Sequence, residues 1–349
     1  MAIPFPDPDP SFEIDVAKAK RELNAHFKLR GVPRSDRQHL LVASWNVANL
    51  GAQTRKKDAL EVIAHLARRF DLLALQEVNA DFHDFDAMVE LMRRGYAAVM
   101  TDTAGNAERL AFVYRKSRVK LGELFGELAL RPGEYPKHTV KVEYRQRGVN
   151  KVDVFRNHKF VPFDRNPFIG SFRSDGLSFT LVNVHLYFGA FGDSTNKTNR
   201  TKYARRVLEI YALSRWSDRR VDRPDTTYDT DIVLMGDMNV PVMKKSNAAY
   251  RALTKFGFQP IDYLDQGKVG GSNIADTKTY DQVAFAPGAF GKKTVAKGVF
   301  DFDNGLFKAR WKQEIDAAMG DRTRAARSFN KLVKHRISDH RPVWFQVEL

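Results

Sequence analysis

An α/β fold, two sheets packed face to face with helices outside, is what this chain predicts. Two observations carry that expectation: a strand, helix, strand plan occurs twice, and strand after strand ends on a polar group. In the first half, Leu40-Leu41-Val42-Ala43-Ser44-Trp45-Asn46 reads as a buried strand that ends in Asn46. Asp71-Leu72-Leu73-Ala74-Leu75-Gln76-Glu77-Val78 is a second strand, ending in Gln-Glu. Between them Ala59, Ile63, Leu66 and Phe70 recur at helical spacing, with Arg55, Lys56, Arg68 and Arg69 off that stripe.

The second half repeats the plan. Phe179-Thr180-Leu181-Val182-Asn183-Val184-His185 is a strand closing on His185; Tyr203, Val207, Ile210 and Leu213 form a helical stripe; Asp231-Ile232-Val233-Leu234-Met235 leads to Asp237. Both halves therefore offer ligand-type groups at the same ends of their strands, where loops gather functional side chains.

Two short segments define the chemistry. Gly236-Asp237-Met238-Asn239 closes an apolar strand, and residues i and i+2 of an extended chain point the same way, so Asp237 and Asn239 are expected to address one ligand from one side of a sheet. The last strand opens on Ile337-Ser338-Asp339-His340-Arg341-Pro342. Either segment alone is more often a turn. Together, and beside the other polar strand ends, they imply a site that moves phosphate with the help of a divalent metal.

Composition bounds the partners. With 57 Lys and Arg against 42 Asp and Glu, the net charge is +15, which favours polyanions over neutral substrates. Residues 131–160 hold eight Lys/Arg and three acids, and residues 307–336 hold nine and three. The first stretch interleaves Lys141, Arg145, Arg147, Lys151, Arg156 and Lys159 with Tyr144 and Phe155; the second carries Arg310, Lys312, Arg322, Arg324, Arg327, Lys331 and Lys334. Such inserts can track a phosphate backbone. The plainer reading of the second is a helix with Phe307, Trp311, Ile315 and Met319 on the core and its charges solvated. The chain has no cysteine, which excludes a disulfide framework, a thiolate nucleophile and a zinc-thiolate site. No secretory signal and no membrane span are expected, so the location expected is cytoplasmic. Phe12, Val16, Ala19, Leu23 and Phe27 suggest a short helix in an extension over residues 1–38, ahead of one catalytic domain over 39–349, taken as a monomer.

In this order, Trp45-Asn46-Val47, Gln76-Glu77-Val78, Val182-Asn183-Val184-His185-Leu186, Gly236-Asp237-Met238-Asn239, Tyr280-Asp281-Gln282-Val283 and Ser338-Asp339-His340-Arg341-Pro342 resemble the endonuclease/exonuclease/phosphatase superfamily. Glu108-Arg109-Leu110-Ala111-Phe112-Val113-Tyr114-Arg115 and Arg165-Asn166-Pro167 are similar to its deoxyribonuclease I-like branch. The resemblance implies a four-layered αββα sandwich of two mixed sheets that cleaves a phosphate ester. It implies that Glu77, with Asn46 and Asp339, holds Mg²⁺ or Mn²⁺, a choice that the oxygen preference of these hard cations supports. It further implies that Asp237 orients or deprotonates the attacking water, that Asn239 holds that water or a phosphate oxygen, and that His340 with Asp281 contacts the phosphate. His185 with Glu108 is a second such pair, and Arg165 a phosphate clamp. The activity expected is a nuclease on DNA or RNA. A phosphatase or phospholipase C-like phosphodiesterase on inositol phosphates or lipid head groups is the alternative, and a non-catalytic nucleic-acid binder the third reading. All of these require Asn46, Glu77, His185, Asp237, Asn239, Asp281, Asp339 and His340 to meet around one cavity.

Overall fold

The computed structural model describes residues 4–53, 55–79, 81–145, 152–157, 159–189, 196–223, 228–263, 271–288 and 290–349. Along the chain come α1 (Val16–Leu29), β1 (His39–Leu50), α2 (Lys57–Ala67), β2 (Leu72–Asn79), α3 (His83–Leu91), β3 (Tyr96–Met100), β4 (Glu108–Arg115) and β5 (Lys120–Glu127). Next are β6 (Val140–Arg145), β7 (Val152–Asn157), β8 (Phe168–Ser174), β9 (Leu177–His185), α4 (Lys197–Val221), β10 (Ile232–Asp237) and α5 (Ala248–Thr254). The chain ends with β11 (Gln259–Pro260), β12 (Asp281–Phe285), β13 (Thr294–Val299), α6 (Lys308–Ala317), α7 (Arg322–Arg336) and β14 (Val343–Glu348).

Two mixed sheets of six strands result, ordered β13-β14-β1-β2-β4-β3 and β11-β12-β10-β9-β8-β5, beside a two-stranded ribbon of β6 and β7. Each helical crossover joins a parallel pair: α2 links β1 to β2, and α4 links β9 to β10. Alternation explains the layers. Leu40, Val42, Leu72, Ala74, Phe179, Leu181, Val233 and Met235 pack in the core between the sheets. Their neighbours of opposite parity face outward, Leu41, Ala43 and Trp45 under α1, α2 and α7, and Val182, Val184, Ile232 and Leu234 under α4 and α5. This is the αββα sandwich expected from the strand ends, with both central strand pairs buried on both faces.

α1 lies in the outer core of the first sheet, where Leu23 and Phe27 are buried and Phe27 stacks on Phe300 at 4.0 Å. The stripe expected at Phe307, Trp311, Ile315 and Met319 breaks at its end. α6 stops at Ala317, Met319 takes φ 50 and is 88% exposed, because Met319 and Gly320 turn the chain into α7. Trp311 does pack, 5.4 Å from Phe329. Arg55, expected on the solvent side, is instead buried, its guanidinium donating to Val47 O, Ala48 O and Ile337 O at 2.9, 2.6 and 3.0 Å. In the first basic insert Lys141, Arg156 and Lys159 are exposed, while Arg147 and Lys151 lie outside the described residues. Among the described residues no helix is long and apolar enough to cross a membrane.

Candidate active site

The inward parity that builds the central core turns polar at one end of the sandwich. Leu40 and Val42 continue to Ser44 and Asn46; Leu72 and Ala74 to Gln76; Phe179 and Leu181 to Asn183 and His185; Val233 and Met235 to Asp237. The antiparallel strands run the other way and reach the same end, Phe285 and Val283 to Asp281, Phe112 and Leu110 to Glu108. Ser44, Gln76 and Asn183, not among the expected site residues, form a floor. Gln76 Nε2 donates to Asn183 Oδ1 at 2.7 Å and to Ser44 Oγ at 3.1 Å, and Asn183 Nδ2 donates to Leu75 O and Ala111 O at 3.0 and 3.1 Å. These satisfied amides tie the two sheets together and separate the apolar core from the charges above it. Their shared parity with Asn46 and His185 was the signal that could have found them.

Above the floor, Asp237 is the register partner of His185 on β9 and of Asp281 on β12, so one row across the second sheet carries all three. Asp237 Oδ2 lies 3.6 Å from His185 Nε2 and 3.8 Å from His340 Nε2. Asn46 crosses from the first sheet, its Nδ2 donating to Glu77 Oε1 at 2.8 Å and to Asp237 Oδ2 at 3.1 Å. Each imidazole has a carboxylate behind it: His185 Nδ1 is 2.8 Å from Glu108 Oε2, and His340 Nδ1 is 2.8 Å from Asp281 Oδ2. Ser272 Oγ donates to the same Asp281 oxygen at 2.6 Å, and the Tyr263 hydroxyl donates to the Asp281 main-chain carbonyl at 2.6 Å, so the side chain and the backbone of Asp281 are each held. The loop bearing His340 is anchored by Trp45 Nε1 on His340 O at 2.9 Å and Ser338 Oγ on Asn46 O at 2.7 Å.

The strands reach the site by losing regularity. Ala48 and Asn49 on β1, Glu77 on β2 and Asn239 after β10 take φ of 51, 54, 61 and 53, a region that non-glycine residues seldom occupy. Glu77 is held there by its own carboxylate, whose Oε2 accepts from Asn49 N at 2.8 Å. At Gly236, φ 142, a Cβ would meet Val184 O at 2.0 Å, so only glycine lets β10 approach β9 this closely. These breaks correct the expected projection of Asn239. β10 ends at Asp237, and the left-handed turn swings the Asn239 amide to donate to Leu186 O at 2.8 Å, while its backbone N–H donates to Asp237 Oδ1 at 2.7 Å.

Two other expected residues stand apart from the cluster. Asp339 is paired with Lys334 at 2.9 Å on the rim. Arg165 is buried behind His185, with Nε donating to His185 O at 2.9 Å and its second amine to Leu186 O at 3.1 Å; it braces the backbone after β9. Of the histidines left out of the site, His65 sits beside Asn24 at 3.1 Å, His138 stacks on Tyr211 at 4.0 Å, His83 is exposed, and His158 lies outside the described residues.

Electrostatics divide the groups into roles. Burial opposes the charge on His340, but Asp281 and Asp237 overcome it and hold the imidazole well above its ordinary range. Burial and Arg165 oppose the charge on His185, which Glu108 and Asp237 still lift. Burial works against ionising Asp237, yet His340 and His185 keep its carboxyl below the usual carboxylate range. Burial raises Glu77, helped by Glu108 and Asp339 against the pull of His185 and Asn46. Near neutral pH the cluster thus favours an ionised Asp237 beside a cationic His340, with His185 shifted in the same direction.

The same groups could hold a metal. Ligand atoms of Glu77, His185 and Asp237 lie within 4.8 Å of one another, as do those of Asp237, Asp281 and His340. The carboxyl groups of Glu77, Glu108, Asp237 and Asp281 gather around two imidazoles and the Arg165 guanidinium, and a divalent cation would favour the ionised form of Glu77 that burial opposes. Oxygen donors at Glu77 and Asn46 suit Mg²⁺ or Mn²⁺.

Beyond the cluster, Glu209 on α4 supports the chain that leaves His185. It is buried, and its Oε2 accepts from Tyr187 N at 2.8 Å. Burial pushes its carboxyl from 4.5 up to about 7, against the help of that N–H and of Arg205. Between these two values the folded chain keeps a proton that the unfolded chain has released, so stability falls as pH rises through that window, by up to about 3 kcal/mol. Glu209→Gln keeps the acceptor for Tyr187 and removes the titration. Its melting temperature in scanning calorimetry is expected to match the parent near pH 4.5 and exceed it at pH 8; equal melting at both would reject the linkage.

No family model and no curated protein matches the chain. Solved structures are similar to it. An endonuclease/exonuclease/phosphatase family protein from Bacteroides thetaiotaomicron superposes with a TM-score of 0.50 at 17% identity, over 90% of this chain and 98% of that one. The human Nocturnin catalytic domain with bound sulfate gives 0.48 at 14% identity, over 89% and 94%. A humanised D. rerio TDP2 with 14 mutations gives 0.47 at 14% identity, over 89% and 99%. At such identities the likeness is one of fold, and the fold is that of the endonuclease/exonuclease/phosphatase proteins.

Proposed function

We propose that this chain is a Mg²⁺- or Mn²⁺-dependent phosphodiesterase that hydrolyses the phosphodiester bonds of DNA or RNA. The observation that carries the reading is the convergence of Asn46, Glu77, His185, Asp237, Asp281 and His340 from both sheets onto one Asp-centred cluster. A bound Mg²⁺ or Mn²⁺, with Glu77, Asn46 and Asp339 as its protein ligands, would polarise the scissile phosphate and shield its charge. For Asp339 this means giving up Lys334.

Asp237 is the group that orients and deprotonates the water. It stays ionised, and its Oδ1 is fixed by the Asn239 N–H. Asn239 uses its amide nitrogen on Leu186, so its carbonyl oxygen is what it offers to the water. His340, oriented by Asp281, and His185, oriented by Glu108, flank Asp237; between them they bind phosphate oxygens and protonate the leaving oxygen. Arg165 contributes positive charge behind His185.

α7 favours nucleic acid among phosphate esters. It carries six Lys/Arg and no acid, with Arg324, Arg327, Lys331 and Lys334 on the side away from buried Ala325, Phe329, Leu332 and Val333. Arg324, Arg327 and Lys331 have no ion-pair partner among the described residues, and Arg327 repels Lys331 at i, i+4, a disfavoured arrangement that a polyanion would relieve. The row leads to Lys334 and thence to Asp339, next to His340.

The test is a panel of plasmid, single-stranded DNA, RNA and inositol polyphosphates with Mg²⁺, Mn²⁺ or EDTA. Metal-dependent cleavage of a polynucleotide is expected; free phosphate from the inositol compounds with no nucleic-acid cleavage would replace the reading with a phosphatase. In the same assay Glu77→Ala is expected to raise the metal concentration for half-maximal rate at least about tenfold. An unchanged metal titration would remove Glu77 from the ligand set.

A further inference from the structure

Main-chain groups of His185, Leu186, Tyr187 and Gly189, at and just past the end of β9, are held by hydrogen bonds on either side of Phe188. Arg165 takes His185 O and Leu186 O, Asn239 takes Leu186 O, and Leu186 N donates to Asp237 O at 2.9 Å. Glu209 receives Tyr187 N, and Arg206 donates to Gly189 O at 3.0 Å. At Gly189 a Cβ would meet Lys202 Cβ at 2.7 Å, so this point lies flush on α4. Arg165, Arg206 and Glu209 are all buried, and burying two guanidiniums and a carboxyl to hold an irregular segment is costly, which a fold sustains where the segment's position matters.

What that fixed segment presents is Phe188. Its side chain is 71% exposed, whereas Tyr187 beside it lies under the Arg205 guanidinium at 3.9 Å. A solvent-facing phenyl ring on a mobile loop needs no explanation. With Tyr187 and Gly189 anchored on either side of it, Phe188 has its Cα within about 11 Å of that of His185, three residues away.

We propose that Phe188 is a stacking platform for the nucleobase next to the scissile phosphate. This subsite rests on the nucleic-acid reading. Flat bases of every type offer a π-face to such a ring, so the contact adds affinity without sequence selection. It would give polynucleotides an advantage over phosphate esters lacking a base.

The test is anisotropy binding in EDTA, so that affinity is read without turnover, using a short single-stranded oligonucleotide and a matched oligomer that is abasic throughout. Phe188→Ala is expected to weaken binding of the intact oligomer at least about tenfold and to leave the abasic one unchanged. Phe188→Trp is expected to restore affinity and to show quenched indole emission on binding. Equal affinity of Phe188→Ala and parent for the intact oligomer, or an equal loss on both oligomers, would overturn the platform. The two readings separate cleanly: normal cleavage with an indifferent Phe188→Ala removes the platform alone, whereas base-dependent binding without cleavage removes the nuclease alone.

Discussion

Asp237→Asn is expected to lower kcat on an oligonucleotide by at least about 100-fold, with KM changed far less. The substitution is nearly isosteric and keeps an acceptor for the Asn239 N–H, so β10 and its turn should stand. What it deletes is the one carboxylate among the described residues that lies within 4 Å of both imidazoles, at 3.6 and 3.8 Å. An amide cannot take a proton from water at neutral pH. Nor can it counter the charges on His185 and His340, both of which Asp237 helps to keep protonated. Initial rates at saturating Mg²⁺, with a melting curve to show an intact fold, decide the matter; a variant within about threefold of the parent would take Asp237 out of the chemistry.

The strands of the sandwich were legible because apolar runs that close on a polar residue read as strands buried on both faces, as β1 and β9 are from Leu40 to Asn46 and from Phe179 to His185. Asn46, Glu108, His185, Asp237 and Asp281 continue the inward-facing series of their strands, which is why those strand ends could be read as one face, whereas Glu77 follows inward-facing Gln76 and takes φ 61. Legibility ends where the backbone leaves the strand. The left-handed turn at Asn239 redirects a side chain that i, i+2 spacing would have placed beside Asp237, and no pattern of residue types announces φ 53 at an asparagine. Arg55 and Arg165 were hidden for a different reason. A buried arginine that caps backbone carbonyls looks like a surface or phosphate-binding arginine until the chain is folded, since its partners are main-chain groups present at every residue. Lys334 and Asp339, five residues apart, pair only because α7 ends where the final loop begins.

His340→Ala is expected to reduce kcat by about 100-fold or more, and Asp281→Asn to reduce it less, with the double variant no slower than His340→Ala alone. The geometry separates the two roles. Asp281 is fully buried and hydrogen-bonds the ring at 2.8 Å through His340 Nδ1, while His340 Nε2 faces Asp237 at 3.8 Å. Asp281 therefore acts by orienting the ring and favouring its cationic form, an effect that has nothing to work on once the ring is gone. Its position is fixed independently by Ser272 and Tyr263, so an asparagine there should keep the loop in place. Independent contributions would instead multiply, making the double variant slower than the parent by the product of the two losses. Measuring all four proteins under one saturating condition distinguishes these outcomes, and multiplicative losses would mean that Asp281 reaches the phosphate or the water by a path that does not run through His340.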